Sequence, residues 1–266
     1  MNAPESIFLP DIQSIRDHRA LAIEQVGIRG LRYPLTWRGA DGTVVATVAT
    51  LALSVGLPAE QKGTHMSRFV ELVEAKRDAL DLSGLRTLFA DMLARLGATS
   101  GRLEAAFPWF IRKRAPVSGV ESLLDVDAAL RVEQPPGGRP QTTMRVVVPV
   151  TSLCPCSKEI SAYGAHNQRS QITLEVVLRE DMSFEELVRI AEEEASCELF
   201  GLLKRPDEKW VTERAYDNPK FVEDLVRDIA LRLRAEPRIA AWQVASENFE
   251  SIHNHSAWAT ISGANG

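Results

Sequence analysis

The chain has 266 residues, of which 45% are hydrophobic, 25% charged and 6% aromatic. These values are typical of a folded globular protein and exclude a disordered or fibrous chain. The formal net charge of -5 predicts no nucleic-acid partner, since no overall basic field is present. The sequence has no apolar run of about 18 residues to cross a membrane and no basic signal-peptide start, so we expect a cytoplasmic protein.

The first half of the chain predicts an arm followed by strands and helices. Residues 1–25 contain two prolines and show weak periodicity, which favours an N-terminal arm. Asp41-Gly42 lies between two extended runs and predicts a hairpin. Apolar residues at helical spacing then predict two consecutive helices. The predicted elements are strands 29–38 and 43–57, helices 66–78 and 85–96, and strands 102–114 and 122–133.

The second half predicts the same order of elements. Ile172 and Leu174 belong to an alternating run, which indicates a strand with one buried face. Ser183 and Glu186 form a capping box at the start of a helix, and Asn218-Pro219 is typical of the start of another. The predicted elements are strands 141–153 and 172–178, a helix from 183 to 199, a helix from 219, and strands 238–250 and 255–262.

Both halves are therefore predicted to have the order strand, strand, helix, helix, strand, strand. This order favours an α+β fold, in which antiparallel sheets carry paired helices on one face. The sequence has no Gly-x-Gly-x-x-Gly or phosphate-loop motif that would indicate a parallel nucleotide-binding sheet. We predict an N-terminal arm at 1–25, a first module at 26–135 and a second module at 136–266.

Cysteine and histidine side chains are the candidates for chemistry. Cys154 and Cys156 are too close for an unstrained disulfide, and Cys197, within a predicted helix, is expected to be a small buried apolar residue. Cys154 precedes His166 by twelve residues, and zinc and similar metals bind thiolate and imidazole together. A reactive cysteine beside a histidine also suits nucleophilic catalysis, and the residue types alone leave both roles open.

Six polar motifs follow one another between residues 40 and 262. They are KGTHMSRF at 62–69, SLCPCSKEIS at 152–161, GAHNQR at 164–169, RPDEK at 205–209, NPKFVED at 218–224 and NFESIHNH at 248–255. Taken together, these motifs resemble the type IB GTP cyclohydrolase I family, and no block is missing.

The resemblance implies a fold, a reaction and an assembly. The fold would be the bimodular tunnelling fold (T-fold), whose barrel is completed by oligomerisation. The reaction would be hydrolysis of GTP to 7,8-dihydroneopterin triphosphate and formate, the first step of tetrahydrofolate synthesis. A divalent metal, Zn²⁺, Mn²⁺ or Fe²⁺, would be required, and the assembly would be a homotetramer built as a dimer of dimers.

The resemblance also implies the roles of individual residues. Cys154 and His65 would be catalytic, and Glu223 would accept two hydrogen bonds from the guanine edge. The implied metal ligands are Cys154, His166, Glu208 and His253, and the implied triphosphate-binding residues are Lys62, Arg68, Lys158 and Arg169. Simpler alternatives remain: Glu223 as a solvated acid, Glu208 in a salt bridge with Lys204 or Lys209, and the histidines, lysines and arginines as solvated surface residues.

Two other functions remain open from the sequence. The nitrile reductase of queuosine synthesis has the same fold and uses a cysteine nucleophile with NADPH. Its characteristic run of Glu, Ser and alternating lysines is not visible here, and the histidines of residues 252–255 suit a metal better. A non-enzymatic metal- or pterin-binding module is the second alternative.

Overall fold

The computed structural model of the chain describes residues 13, 15–76 and 78–266. Most of the predicted arm lies outside these residues, although the first strand already begins within it. In chain order the elements are β1(Ile23–Arg38), β2(Val44–Leu57), α1(Met66–Glu74), α2(Leu82–Leu96), β3(Gly101–Arg114), β4(Glu121–Gln134), β5(Gln141–Leu153), α3(Pro155–Ile160), β6(Asn167–Leu178), α4(Phe184–Glu194), β7(Cys197–Glu198), α5(Arg205–Asp217), α6(Val222–Ala235), β8(Ile239–Asn248) and β9(Ala257–Ala264).

The strands form one nine-stranded antiparallel sheet. Its order is β1-β2-β3-β4-β5-β6-β8-β9, with the short β7 paired to β5 outside this path. β4 pairs with β5, so the two predicted modules share a continuous sheet. The predicted antiparallel α+β architecture is confirmed, and the division into modules at residues 135 and 136 stays a prediction.

Four of the helices, α1, α2, α4 and α6, cover one face of this sheet. In β5, the side chains of Met144, Val146, Val148 and Val150 alternate with more exposed neighbours and are fully buried. They belong to a core that includes apolar side chains from α1, α2, α4 and α6. The other face is polar, as in the ion pair of 2.8 Å between Arg131 and Glu175. Helices on one face were predicted from the sequence. None of the helices in the described residues is long and apolar enough to span a bilayer.

An aromatic cluster joins the helix α4 to the first half of the sheet. Phe184, at the start of α4, lies 5.8 Å from the ring of Phe107 in an edge-to-face arrangement. It also lies 5.6 Å from Trp109 and 6.3 Å from Trp37. These rings come from β1, β3 and α4, so the predicted modules pack against each other through a shared core.

Local signals predicted the first helical pair well. The helix predicted at 66–78 ends at Glu74, and the helix predicted at 85–96 begins earlier, at Leu82. Asp81 explains the earlier start, because its carboxylate accepts a hydrogen bond of 2.7 Å from the backbone of Gly84. Gly97 ends this helix with a φ of 61°, in the left-handed region that glycine favours.

The prediction of a helix extending to residue 199 was wrong. α4 ends at Glu194, and Cys197 lies in the strand β7 and not in a helix. Cys197 is nevertheless buried as predicted, and burial raises the pKa of its thiol to about 11. Two further helices, α3 and α5, were not predicted, and β6 begins five residues before the predicted start.

Candidate metal and nucleotide site

The candidate residues fall at two opposite ends of the sheet. Leu153 pairs with Asn167, and Ser170 pairs with Asn248. β5 therefore ends, β6 begins and β8 ends at the same place, which we call the Cys154 end. β3 also ends there, because Arg114 pairs with Glu121 at the start of β4, the antiparallel neighbour of β5. Val55 instead pairs with Gly101 at the start of β3, so β2 finishes at the opposite end.

Cys154 directly follows β5 and precedes the short helix α3. Its half-buried sulfur accepts a hydrogen bond of 3.4 Å from the backbone of Ser157. The backbone of Cys154 donates to the carbonyl of His166 at 3.1 Å. The Ser157 hydroxyl also accepts from the backbone of His166 at 3.2 Å. The structure thus brings Cys154 and His166 together as neighbours, whereas Cys156 is exposed.

The imidazole of His166 has a defined orientation. Its Nδ1 lies 3.1 Å from Oε1 of the buried Gln168 and 4.0 Å from Oε2 of Glu250. An Nδ1–H that donates to Gln168 leaves the lone pair on Nε2, which is the form that ligates a metal. The donor chemistry of Cys154 and His166 therefore fits a borderline divalent metal such as zinc.

The other two predicted ligands lie at the same end of the sheet. His253 is in the exposed segment that follows β8, with its ring stacked at 5.1 Å on that of His255. Glu208 is exposed on the first turn of α5, and Lys209 pairs with Glu213 instead. Within the described ranges no group of three or more His, Cys, Asp or Glu side chains lies close enough to hold a metal. The four-ligand set therefore stays a prediction.

Three predicted substrate residues also lie at the Cys154 end. Glu223 is exposed on the first turn of α6, shortly after Lys220, whose backbone donates to the carbonyl of Leu153 at 3.1 Å. Lys158 donates to the carbonyl of Tyr216 and lies 4.2 Å from the centre of its ring. Arg169 is exposed in β6. The three side chains thus share one end of the sheet with Cys154, and Lys158 is engaged with Tyr216.

The remaining predicted residues lie elsewhere. Lys62, His65 and Arg68 follow β2 and surround the start of α1, at the end of the sheet opposite Cys154. The fourteen residues of β3 that separate the two ends span roughly 45 Å. Within one protomer the structure does not bring these three residues together with Cys154.

Gln168, Glu250 and Asp207 were not predicted to have roles. Gln168 follows His166 by two residues at the start of a strand, a spacing that places both side chains on one face and could have indicated their contact. Asp207 is fully buried. Burial alone would raise its pKa, but hydrogen bonds from Ser118, Lys204 and Val117 hold that pKa well below its usual range. No local sequence pattern signals the long-range contacts of Asp207 with Val117 and Ser118.

Solved structures identify the class of fold. The chain superposes on a uricase from Bacillus fastidious with a TM-score of 0.55 and 12% identity, over 93% of this chain and 94% of that one. It superposes on uricase from Arthrobacter globiformis with a TM-score of 0.52 and 9% identity, over 91% and 93% of the two chains. This likeness establishes the tunnelling fold that these uricases share.

Sequence comparison identifies the family. A family profile described as type I GTP cyclohydrolase folE2 matches residues 9–259. The chain is 71% identical to GTP cyclohydrolase FolE2 1 of Dechloromonas aromatica over the full length of both. It is 62% identical to GTP cyclohydrolase FolE2 2 of Cupriavidus metallidurans, covering 95% of this chain and 94% of that protein. The chain belongs to the type I GTP cyclohydrolase FolE2 family.

Proposed function

We propose that this protein hydrolyses GTP to 7,8-dihydroneopterin triphosphate and formate, the first step of tetrahydrofolate synthesis. The observation that supports this proposal is the contact between Cys154 and His166 at one end of the sheet. The chain also matches the family along nearly its whole length. Neither rival explains both facts. A nitrile reductase or a non-catalytic pterin-binding module would not account for 71% identity to a GTP cyclohydrolase.

The proposed metal ligands are Cys154, His166, Glu208 and His253. A bound Zn²⁺, Mn²⁺ or Fe²⁺ would supply a water activated at neutral pH for attack on the purine ring. The chain's part is to hold the ligands. The backbone of Ser157 donates to the sulfur of Cys154, and an Nδ1–H of His166 that donates to Gln168 would leave Nε2 for the metal. Glu208 and His253 are both solvent-exposed at the same end of the sheet, so their side chains are accessible to a metal ion.

Glu223 is the proposed anchor of the guanine base. An ionised carboxylate accepts hydrogen bonds only, and it can accept from N1–H and the exocyclic amine of guanine at once. Charge-assisted pairs of this kind are stronger than neutral ones and fix orientation. Adenine offers an acceptor at N1 and no donor at C2, so Glu223 would select GTP over ATP.

The triphosphate-binding and proton-transfer residues require two protomers. Lys158 and Arg169 lie at the Cys154 end, whereas Lys62, His65 and Arg68 lie at the opposite end. We therefore assign the second group to the site of a neighbouring protomer. The outer side of β9 bounds the described sheet, as does that of β1, which is paired only at its end, where Trp37 is bridged to Leu80. These edges support the assignment because open edges are usually covered or paired.

Measuring pterin formation tests the reaction. The purified protein is incubated with GTP and Zn²⁺, Mn²⁺ or Fe²⁺, and the product is oxidised and read by its pterin fluorescence. A chelator-treated sample without added metal is the control and should form no product. Either a metal-supplied sample that leaves GTP unchanged, or a demonstrably metal-free sample with full activity, would contradict the proposal.

A further inference from the structure

Asp207 is an unusual residue in this fold, because its carboxylate is completely buried without a cation. Its exposed fraction is 0%, and no lysine or arginine among the described residues forms an ion pair with it. A buried charge is costly unless hydrogen bonds replace its hydration. The contacts that Asp207 makes are therefore expected to serve a purpose.

Four hydrogen bonds satisfy this carboxylate. Oδ1 accepts from the backbone N–H groups of Val117 and Ser118, each at 2.8 Å. Oδ2 accepts from the Ser118 hydroxyl at 2.6 Å and from the backbone of Lys204 at 2.8 Å. One side chain thus joins the turn between β3 and β4 to the first turn of α5, across a sequence separation of about ninety residues.

The rest of α5 buries little apolar surface that could fix its position. Asp207 and Ala215 are the only buried residues in this thirteen-residue helix. An apolar stripe normally decides how a surface helix packs, and α5 lacks one. The start of the helix is consequently located by the polar contacts of Asp207 with the β3–β4 turn.

Glu208 is the next residue after Asp207, and the β3–β4 turn lies at the Cys154 end of the sheet. We propose that Asp207 is a positioning residue, which holds Glu208 at the metal site by fixing the start of α5 to the β3–β4 turn. This inference rests on the proposed function, in which Glu208 is a metal ligand. It adds a residue that acts on the metal only through Glu208.

The affinity of the protein for Zn²⁺ alone, measured by competition with a chromophoric chelator, tests the inference. Asp207→Asn keeps the shape of the side chain but replaces one acceptor oxygen by an amide nitrogen. We expect a roughly 10- to 100-fold weaker affinity, the usual loss when a partner of a ligand is removed. The matched control is Glu213→Gln on the exposed side of the same helix, which should bind Zn²⁺ like the parent.

A double-variant cycle separates positioning from a general structural role. If Asp207 acts through Glu208, the variant with both Asp207→Asn and Glu208→Gln should bind Zn²⁺ as Glu208→Gln alone does. Additive losses, or a parent-like affinity of Asp207→Asn, would overturn the inference. If Asp207→Asn does not fold, Ser118→Ala removes a single donor and takes its place in the same cycle, with a smaller loss expected.

The outcomes also distinguish this inference from the proposed function. A parent protein that forms no pterin from GTP refutes the proposed reaction, while the Zn²⁺ affinities still report on Asp207. A parent that turns over GTP, together with a parent-like Zn²⁺ affinity of Asp207→Asn, refutes only the positioning role. In turnover assays with limiting Zn²⁺, Asp207→Asn should lower kcat and leave KM for GTP nearly unchanged, because the guanine and phosphate contacts are intact.

Discussion

Lys113 is the buried cation whose removal should be most damaging to the fold. It has an exposed fraction of 7% and lies near the end of β3. Its ammonium donates to Oε2 of Glu192 at 2.7 Å and also to Glu198, and it lies 5.3 Å from the ring of Phe200. Lys113→Met keeps most of the volume and leaves two carboxylates without a cation.

The loss in free energy of unfolding depends on how much water can reach these carboxylates. Removing one partner of a buried ion pair destabilises a protein by about 3 to 5 kcal/mol. The Glu192 side chain is 11% exposed and cannot regain its hydration, whereas that of Glu198 is 34% exposed and partly can. We therefore expect about 3 to 5 kcal/mol at neutral pH, dominated by Glu192. For a chain of this size that corresponds to a fall in Tm of roughly 6 to 20 °C.

The loss of stability caused by Lys113→Met should also depend on pH. Burial raises the pKa of Glu192 above its ordinary value of 4.5, while Lys113 lowers it. Without Lys113 this pKa rises further, so the folded variant binds the proton more tightly than the unfolded chain. Stability then increases as pH falls towards 4.5 and is lost as pH rises. The difference between Lys113→Met and the parent should accordingly be larger at pH 7.5 than at pH 5.

Thermal and denaturant unfolding of the variants at these two pH values provide the measurement. Lys209→Met is the matched control: it also removes a lysine from a carboxylate pair, but the side chains of Lys209 and Glu213 are 71% and 59% exposed. It should cost less than about 1 kcal/mol. Adding Glu192→Gln to Lys113→Met should restore part of the loss at pH 7.5. A pH-independent loss, or one no larger than in the control, would refute this account of Lys113.

Two further predictions concern the site. Cys154→Ala should abolish Zn²⁺ binding and pterin formation with the fold retained, while the exposed Cys156→Ala should be milder; equal losses would show that both thiols act. Glu223→Gln places an amide donor against a guanine donor and should weaken the interaction with GTP by about 2 to 5 kcal/mol. Since about 1.4 kcal/mol corresponds to a factor of ten, kcat/KM for GTP should fall by roughly 1.5 to 3.5 orders of magnitude. The metal content should be unchanged. Normal turnover would mean that Glu223 is only a solvated acid.

The parts of the fold that were predicted from the sequence are those that short-range contacts determine. The hairpin between β1 and β2 is one case, because Asp41 accepts a hydrogen bond of 2.9 Å from the backbone of Thr43, two residues away. The capping box of α4 is another, with Ser183 and Glu186 bonded as predicted. Both signals lie within four consecutive residues and need no knowledge of the rest of the chain.

Long-range contacts explain the errors. The apolar spacing after Glu194 continues to favour a helix, but Ser196 accepts a hydrogen bond of 3.1 Å from the backbone of Leu153, and Cys197 pairs with Thr151. Pairing with β5 therefore overrides the local helical preference. α5 was missed for a related reason: it has no apolar stripe, and its position depends on the contact between Asp207 and Ser118.

The candidate site shows the same limit. Cys154 and His166 were selected from motifs, yet their contact depends on the register in which Leu153 pairs with Asn167. No pattern in either segment specifies that register. The orientation of His166 by Gln168 was likewise visible only as a spacing of two residues, whose meaning depends on a strand that begins earlier than predicted.

Two independent features of this chain support the proposal that it assembles with further copies of itself. Polar side chains with proposed roles in one reaction lie at both ends of a sheet that no side chain can span, since β3, which runs between the two ends, is roughly 45 Å long. Separately, β9 is an edge strand of the described sheet, and Trp258 within it is 64% exposed. A symmetric neighbour that continued the sheet at such an edge would cover exposed apolar surface and remove an unpaired edge. A neighbour that brought the two ends of different sheets together would also complete the site. The proposed homotetramer would satisfy both requirements, whereas a monomer would satisfy neither.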